Sequence, residues 1–97
     1  MKILVTGGIG FIGIHTCVEL LSEGHQIIII DNLINSNLNT LKRLEQISNK
    51  KISSFLSAHA DVVFLEGDIR DRGLLRKVFE SSSIESVIHF AGLKSLS

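Results

Sequence analysis

Thirteen residues at the amino end constrain this chain more than any others. Lys2-Ile3-Leu4-Val5-Thr6 runs directly into Gly7-Gly8-Ile9-Gly10-Phe11-Ile12-Gly13. An apolar strand that meets Gly7-x-x-Gly10-x-x-Gly13 and then a helical pattern is the opening of a dinucleotide-binding βαβ unit. The glycines have separable tasks. One permits the tight turn, one lets phosphates approach bare backbone, and one lets the helix pack closely on the strand. The turn then aims backbone N–H groups and a helix N-terminus at one point, which suits a pyrophosphate without any cationic side chain.

The rest of the chain reads as alternating strands and helices. From Phe11 to Glu23 the apolar residues Ile14, Cys17, Val18 and Leu21 fall at i, i+3, i+4 and i+7, one stripe of a helix. Gly24 stands where a C-cap belongs. Gln26 to Ile30 carries four consecutive isoleucines and reads as a strand buried on both faces. A polar loop follows, then Leu38, Leu41 and Leu44 at helical spacing. Ser48 to His59 is irregular and reads as a loop with one helical turn. Val62 to Leu65 is a third strand. Asp71 can cap a helix that carries Leu74, Leu75, Val78 and Phe79 on one face. Val87 to Phe90 is a fourth strand. This βαβαβαβ order, with mostly short connections, requires parallel strands and right-handed crossovers.

The length of 97 residues bounds this to a single domain. A doubly wound nucleotide fold has two βαβαβ halves with strand order 3-2-1-4-5-6, so this length fits one half, with order 3-2-1-4. Hydrophobic residues make up 44%, and mean hydropathy is +0.34, as expected of a half-domain whose sheet wants more cover. The fourth strand, Val87 to Phe90, should then be an exposed apolar edge that invites self-association. The formal net charge is zero, which argues against a nucleic-acid surface. The run Ile27 to Ile30 is far too short for a membrane span, and Met1-Lys2 leads into a strand, unlike a secretory leader. The single Cys17 rules out an intrachain disulfide and fits a reducing cytoplasm.

Candidate site residues lie where the strands end. Asp31 follows Gly13 by 18 residues, close to the about 20 expected of the acidic residue that accepts from the adenosine ribose hydroxyls. Its charge would repel a 2′-phosphate, which favours NAD over NADP; the competing reading is a turn residue. Asp68 stands directly after the third strand, on the same rim, and is nearly as well explained as a turn leading into a helix. Phe90-Ala91-Gly92 ends the fourth strand with small residues that let a ligand approach. Cys17 reads as a packed thiol, His89 as a hydrogen-bonded core histidine, and His15 and His25 as exposed. No His/Cys/Asp spacing suggests a metal site.

These residues resemble the extended short-chain dehydrogenase/reductase superfamily. Asp31-Asn32-Leu33-Ile34-Asn35-Ser36, Glu66-Gly67-Asp68-Ile69-Arg70-Asp71 and Val87-Ile88-His89-Phe90-Ala91-Gly92-Leu93-Lys94 narrow the likeness to the N-terminal, NAD-binding half of the bacterial UDP-glucose 4-epimerase family. His15-Thr16-Cys17 and Gly24-His25 also match, whereas Ser48 to Ala60 follows no family pattern. The resemblance implies an α/β, Rossmann-like parallel sheet with flanking helices, residues 1–97 being part of an NAD-binding domain. It implies that the backbone of Gly7, Gly10, Phe11, Ile12 and Gly13 lies against the pyrophosphate. Asp31, Asn32, Leu33, Asn35 and Ser36 would hold the adenosine ribose and its surroundings, and Asp68 and Ile69 would border the adenine. Phe90, Ala91, Gly92, Leu93 and Lys94 would run toward the nicotinamide side. Ile9 and Ile14 depart from the family, which usually has a small residue and a serine there.

The same resemblance implies galactose metabolism, a UDP-hexose substrate and a homodimeric cytoplasmic parent enzyme, with no nucleic-acid or membrane partner. Such enzymes take a hydride from C4 of the sugar onto NAD and return it to the other face. Their base is the tyrosine of a Tyr-x-x-x-Lys motif, and this chain contains no tyrosine. No catalytic residue is therefore assigned, and the isolated chain is expected to be inactive. The alternatives are another nucleotide-sugar dehydratase or decarboxylase of the superfamily, or a non-catalytic dinucleotide-binding fragment.

Overall fold

Parallel strands buried on both faces need helices above and below the sheet, and the structure supplies both layers. The computed structural model describes residues 1–7, 11–32, 38–57 and 59–90, with the backbone alone at 11, 12 and 38. The elements are β1 (Lys2–Thr6), α1 (Phe11–Ser22), β2 (Gln26–Asp31), α2 (Leu38–Ser48), β3 (Ile52–Ser53), β4 (Val62–Glu66), α3 (Arg72–Ser81) and β5 (Ser86–His89). The sheet order is β3-β4-β2-β1-β5, and every pairing is parallel. This is a Rossmann-like arrangement. The expected order of four strands is present, with one more strand at the edge.

Strand pleat sorts the core into two layers. Ile3, Val5, Ile27, Ile29, Val62 and Phe64 point to one face and pack with Cys17 and Leu21 of α1 and Leu41 and Leu44 of α2. Leu4, Ile28, Ile30 and Val63 point to the other and pack with Val78 of α3. The four isoleucines of β2 are thus divided evenly, two to each layer, and each is at most 2% exposed. A central parallel strand requires this, because helices cover both of its sides.

The helix ends follow local chemistry. Gly24 adopts φ +88, a left-handed conformation that carries little cost only without a Cβ. There the His25 N–H donates to the Leu20 carbonyl at 3.1 Å and the Gly24 N–H to the Leu21 carbonyl at 3.1 Å. That pair of bonds satisfies the last carbonyls of α1 as a Schellman cap. Asp71 caps α3, its side chain accepting from the Leu74 N–H at 3.1 Å.

Four expectations are corrected. The irregular stretch holds the two-residue edge strand β3 in place of a helical turn, because Ile52 and Ser53 pair with Val62 and Val63. Phe79 does not share the buried face of α3: it is 47% exposed, and Val78 alone is buried. His25 is half-buried, whereas His15 is exposed as expected. His89 is hydrogen-bonded but exposed, since its side chain points to the second layer, which α3 does not cover at β5. Val87 on the same face is 50% exposed, in line with an open fourth-strand edge. Among the described residues β5 pairs only with β1. No described helix is long and apolar enough to cross a membrane.

Candidate dinucleotide site

Three main-chain bonds level the carboxyl ends of four strands into one rim. The Gly7 N–H donates to the Ile30 carbonyl at 2.9 Å, the Gly67 N–H to the Asp31 carbonyl at 3.0 Å, and the Phe90 N–H to the Thr6 carbonyl at 2.9 Å. The order along the rim is therefore Gly67 and Asp68, then Asp31, then Gly7, then Phe90. Three strand spacings give it a width of about 14 Å. The carboxyl-end crevice of an open α/β sheet is where such folds bind ligands.

Gly7 begins the turn at φ +67, a value that favours glycine. After the turn, α1 starts at Phe11 and packs its Cys17 and Leu21 on β1 and β2. Its first turn holds no acidic residue, so no carboxylate in that turn offsets the partial positive charge of the helix end at Phe11, Ile12 and Gly13. Gly13 and Ile14 are buried, which places the start of the helix tightly against the sheet. A larger residue than serine at Ile14 is accommodated in that packing.

Asp31 is the last residue of β2 and is only 6% exposed; among the described residues it and Thr6 are the buried polar ones. Burying a carboxylate is costly unless it is hydrogen-bonded, so its place beside the glycine turn is a specific one. Asn32 follows it and is exposed. Asp68 is held differently. Its carboxylate accepts from the Arg70 backbone N–H at 2.8 Å, Nη2 at 2.7 Å and Nε at 3.1 Å. These bonds and the guanidinium charge hold its carboxyl below the usual carboxylate range, at about 2. The Asp68 carbonyl also accepts from the Asp71 N–H, so the turn and the cap of α3 form one unit. Ile69 between them packs on the second core layer. A Cβ at Gly67 would meet the Leu74 Cδ2 methyl, so a larger residue there would push that side-chain end aside.

Gly7, Phe11, Ile12, Gly13, Asp31, Asn32, Asp68, Ile69 and Phe90 thus lie along or next to one rim. Gly10, Leu33, Asn35, Ser36, Ala91, Gly92, Leu93 and Lys94, like Ile9, fall outside the described residues. Cys17 is away from the rim and 1% exposed; burial pushes its thiol up to about 12, so it is core and no nucleophile. No group of His, Cys, Asp or Glu among the described residues could hold a metal. An open groove of about 460 Å³ is lined by Lys51, Ile52, Phe55, His59 and Asp61. It opens at the amino end of β4, opposite the rim. Two contributors were not legible in the sequence pattern. Arg70 clamps Asp68, and Thr6 bonds His89 at 2.6 Å, a pairing that exists only once β5 lies against β1.

A protein-family model described as GDP-mannose 4,6 dehydratase matches residues 4–97. The chain is 54% identical over 95 residues to a UDP-glucose 4-epimerase of Neisseria meningitidis serogroup B, covering 98% of this chain and 25% of that protein. It superimposes on UDP-glucose 4-epimerase from Bifidobacterium longum, crystallised with NAD+ and UDP, with a TM-score of 0.80 and 43% identity. That match covers 95% of this chain and 24% of that one. A dTDP-glucose 4,6-dehydratase from Bacillus anthracis in complex with NAD gives a TM-score of 0.72 at 33% identity, covering 94% of this chain and 26% of that one. The chain spans about a quarter of the length of the curated relatives it matches first.

Proposed function

Since the chain belongs to the GDP-mannose 4,6 dehydratase family, we propose that it is the NAD-holding part, residues 1–97, of a UDP-glucose 4-epimerase. The observation that carries this reading is the rim itself: a glycine turn and an acid-free helix start, with a buried carboxylate one strand away. The residues present fit the cofactor. The N–H groups at Phe11, Ile12 and Gly13 bind the pyrophosphate, whose negative charge the helix end favours. Asp31 accepts from the adenosine ribose hydroxyls, and its charge turns away a 2′-phosphate. Asp68, held ionised by Arg70, and Ile69 border the adenine. Phe90, Ala91, Gly92, Leu93 and Lys94 serve the nicotinamide side. Bound there, NAD supplies a hydride acceptor for a sugar carbon.

The substrate of the whole enzyme is a UDP-hexose, in line with the epimerases that share about half of this sequence. The chain has no tyrosine, so the general base of a Tyr-x-x-x-Lys motif has no counterpart in it. It binds cofactor without turning over sugar, and its setting is a cytoplasmic, galactose-metabolising homodimer.

Two measurements test this. Titration calorimetry of the 97-residue chain with NAD should give saturable heat and a raised melting temperature, with NADP weaker. No heat and no thermal shift would sink cofactor binding. A chimera carrying this chain in place of the matching quarter of the Neisseria enzyme should interconvert UDP-glucose and UDP-galactose. A chimera that folds and binds NAD but leaves both sugars unchanged would refute the epimerase assignment. It would favour the dehydratase reading, which the family description and the Bacillus anthracis likeness support.

A further inference from the structure

Phe55 is 69% exposed, more than any other large apolar side chain among the described residues. Its main chain is nonetheless held at both polar groups. The Phe55 N–H donates to Ser53 Oγ at 3.2 Å, and the Ser53 hydroxyl donates to the Phe55 carbonyl at 2.7 Å. The ring therefore stands out from a fixed turn, and little freedom is left to lose on contact. It also walls the groove of about 460 Å³ that Lys51, Ile52, Ala60 and Asp61 line. An aromatic projection and a hollow adjoin on one patch. That patch lies in the stretch Ser48 to Ala60, which follows no family pattern, so the dinucleotide site does not account for it.

Shape and charge both point to a second copy of this chain as the occupant. In a twofold contact a patch meets itself, so a projection beside its own hollow is what such a contact needs. A ring near the axis also packs on its counterpart, an arrangement that aromatic pairs favour. The charges permit the approach. Lys51 and Asp61 line the groove, Lys50 pairs with Asp61 at 3.5 Å, and Glu45 Oε2 accepts from the Ile52 N–H at 2.9 Å. Two cations and two anions leave no net charge to repel an identical face, and no excess to attract a strongly acidic or basic one. The Glu45 contact also occupies the Ile52 N–H, which blunts the edge of β3 against a further strand. Side chains, and not a continued ladder, make the contact.

We propose that the face around Phe55 is an interface between two copies of this chain related by a twofold axis, each Phe55 ring seated in the groove of the other. The groove opens opposite the rim, so the dinucleotide site of each copy stays open. The proposal does not depend on the NAD reading, and it places self-association here and not at the β5 edge.

The test is sedimentation velocity of the 97-residue chain from about 1 μM to about 1 mM, with the variants Phe55→Ser, Lys51→Glu and Val87→Thr. The parent should form a reversible dimer. Phe55→Ser should weaken it by about a hundredfold, because the twofold removes two rings at once, with an unchanged circular dichroism spectrum. Lys51→Glu leaves three anions against one cation and should weaken the dimer by about tenfold at low salt, and by less at high salt. Val87→Thr, at the β5 edge, should dimerise as the parent does. On dilution, amide NMR shifts should move at 51–55 and 59–61 and stay fixed at 86–89. A parent that is monomeric throughout would overturn the proposal and leave the face to a different partner. A dimer insensitive to Phe55→Ser or to Lys51→Glu would overturn it too. So would dilution shifts confined to 86–89, which would put the contact at β5. NAD affinity should be equal in the parent and Phe55→Ser, so failure of the NAD reading and failure of this one are separate results.

Discussion

Replacing Val78 by alanine tests how the second layer of the core is held together. Val78 is fully buried and is the only buried residue of α3, whereas its neighbour Phe79 is 47% exposed. Val78→Ala removes two buried carbons, worth about 1.6 kcal/mol in transfer free energy at about 0.8 kcal/mol each. An unrelaxed cavity of about 50 Å³ would add about 1.2 kcal/mol. The expected cost is therefore about 1.6–2.8 kcal/mol, and each kcal/mol lowers the melting temperature of a domain this size by about 4–8 °C. Phe79→Ala removes a larger side chain, but half of it already touches water, so its cost should stay near 1 kcal/mol. Helix propensity favours alanine over both residues by similar amounts and does not alter the ranking. Thermal and urea denaturation followed by circular dichroism would measure both variants. A Phe79→Ala loss equal to or larger than that of Val78→Ala would refute the two-layer packing argued above. The result also bears on the site, because Asp68, Ile69 and the Asp71 cap are continuous with α3.

Asp31→Asn should weaken NAD binding by about tenfold or more, through loss of a charged acceptor, and should narrow the preference over NADP; calorimetry with both dinucleotides checks this. The Asp68 carboxyl, held down at about 2 by Arg70, should contribute stability that is fully present above the ordinary value of 3.8 and is lost as pH falls through about 2. A carbonyl-carbon NMR titration should show that low midpoint, and Arg70→Ala should return it toward 3.8. Cys17, with its thiol pushed up to about 12, should resist a thiol reagent at pH 8 in the native chain and react once urea unfolds it; prompt native labelling would contradict its burial.

Much of this architecture is written in local pattern. The run Lys2 to Thr6 before glycines, the helical stripe of Ile14, Cys17 and Leu21, and Gly24 at a position that needs φ +88 each depend on near neighbours. Their physics is steric and periodic, so it is visible in one dimension. The same holds for the spacing of Asp31 from the glycine turn. Other features depend on partners remote in the chain. Ile52 and Ser53 form a strand only because Val62 and Val63 present a free ladder; two residues are too few to show alternation. Phe79 fits the helical stripe by spacing, yet it is exposed, since α3 meets the sheet along the narrower line of Val78.

The amino-acid sequence by itself determined the elements other than β3, their parallel sense and the glycine turn and acidic residue at the strand ends, because strand burial, glycine turns and capping are local. Only the tertiary structure decided which isoleucine of β2 serves which layer and how Asp68 is clamped. It also set the seat of Thr6 opposite His89, 83 residues apart. Those outcomes come from sheet order and register, which bring distant residues to bonding distance and which no spacing along the chain encodes.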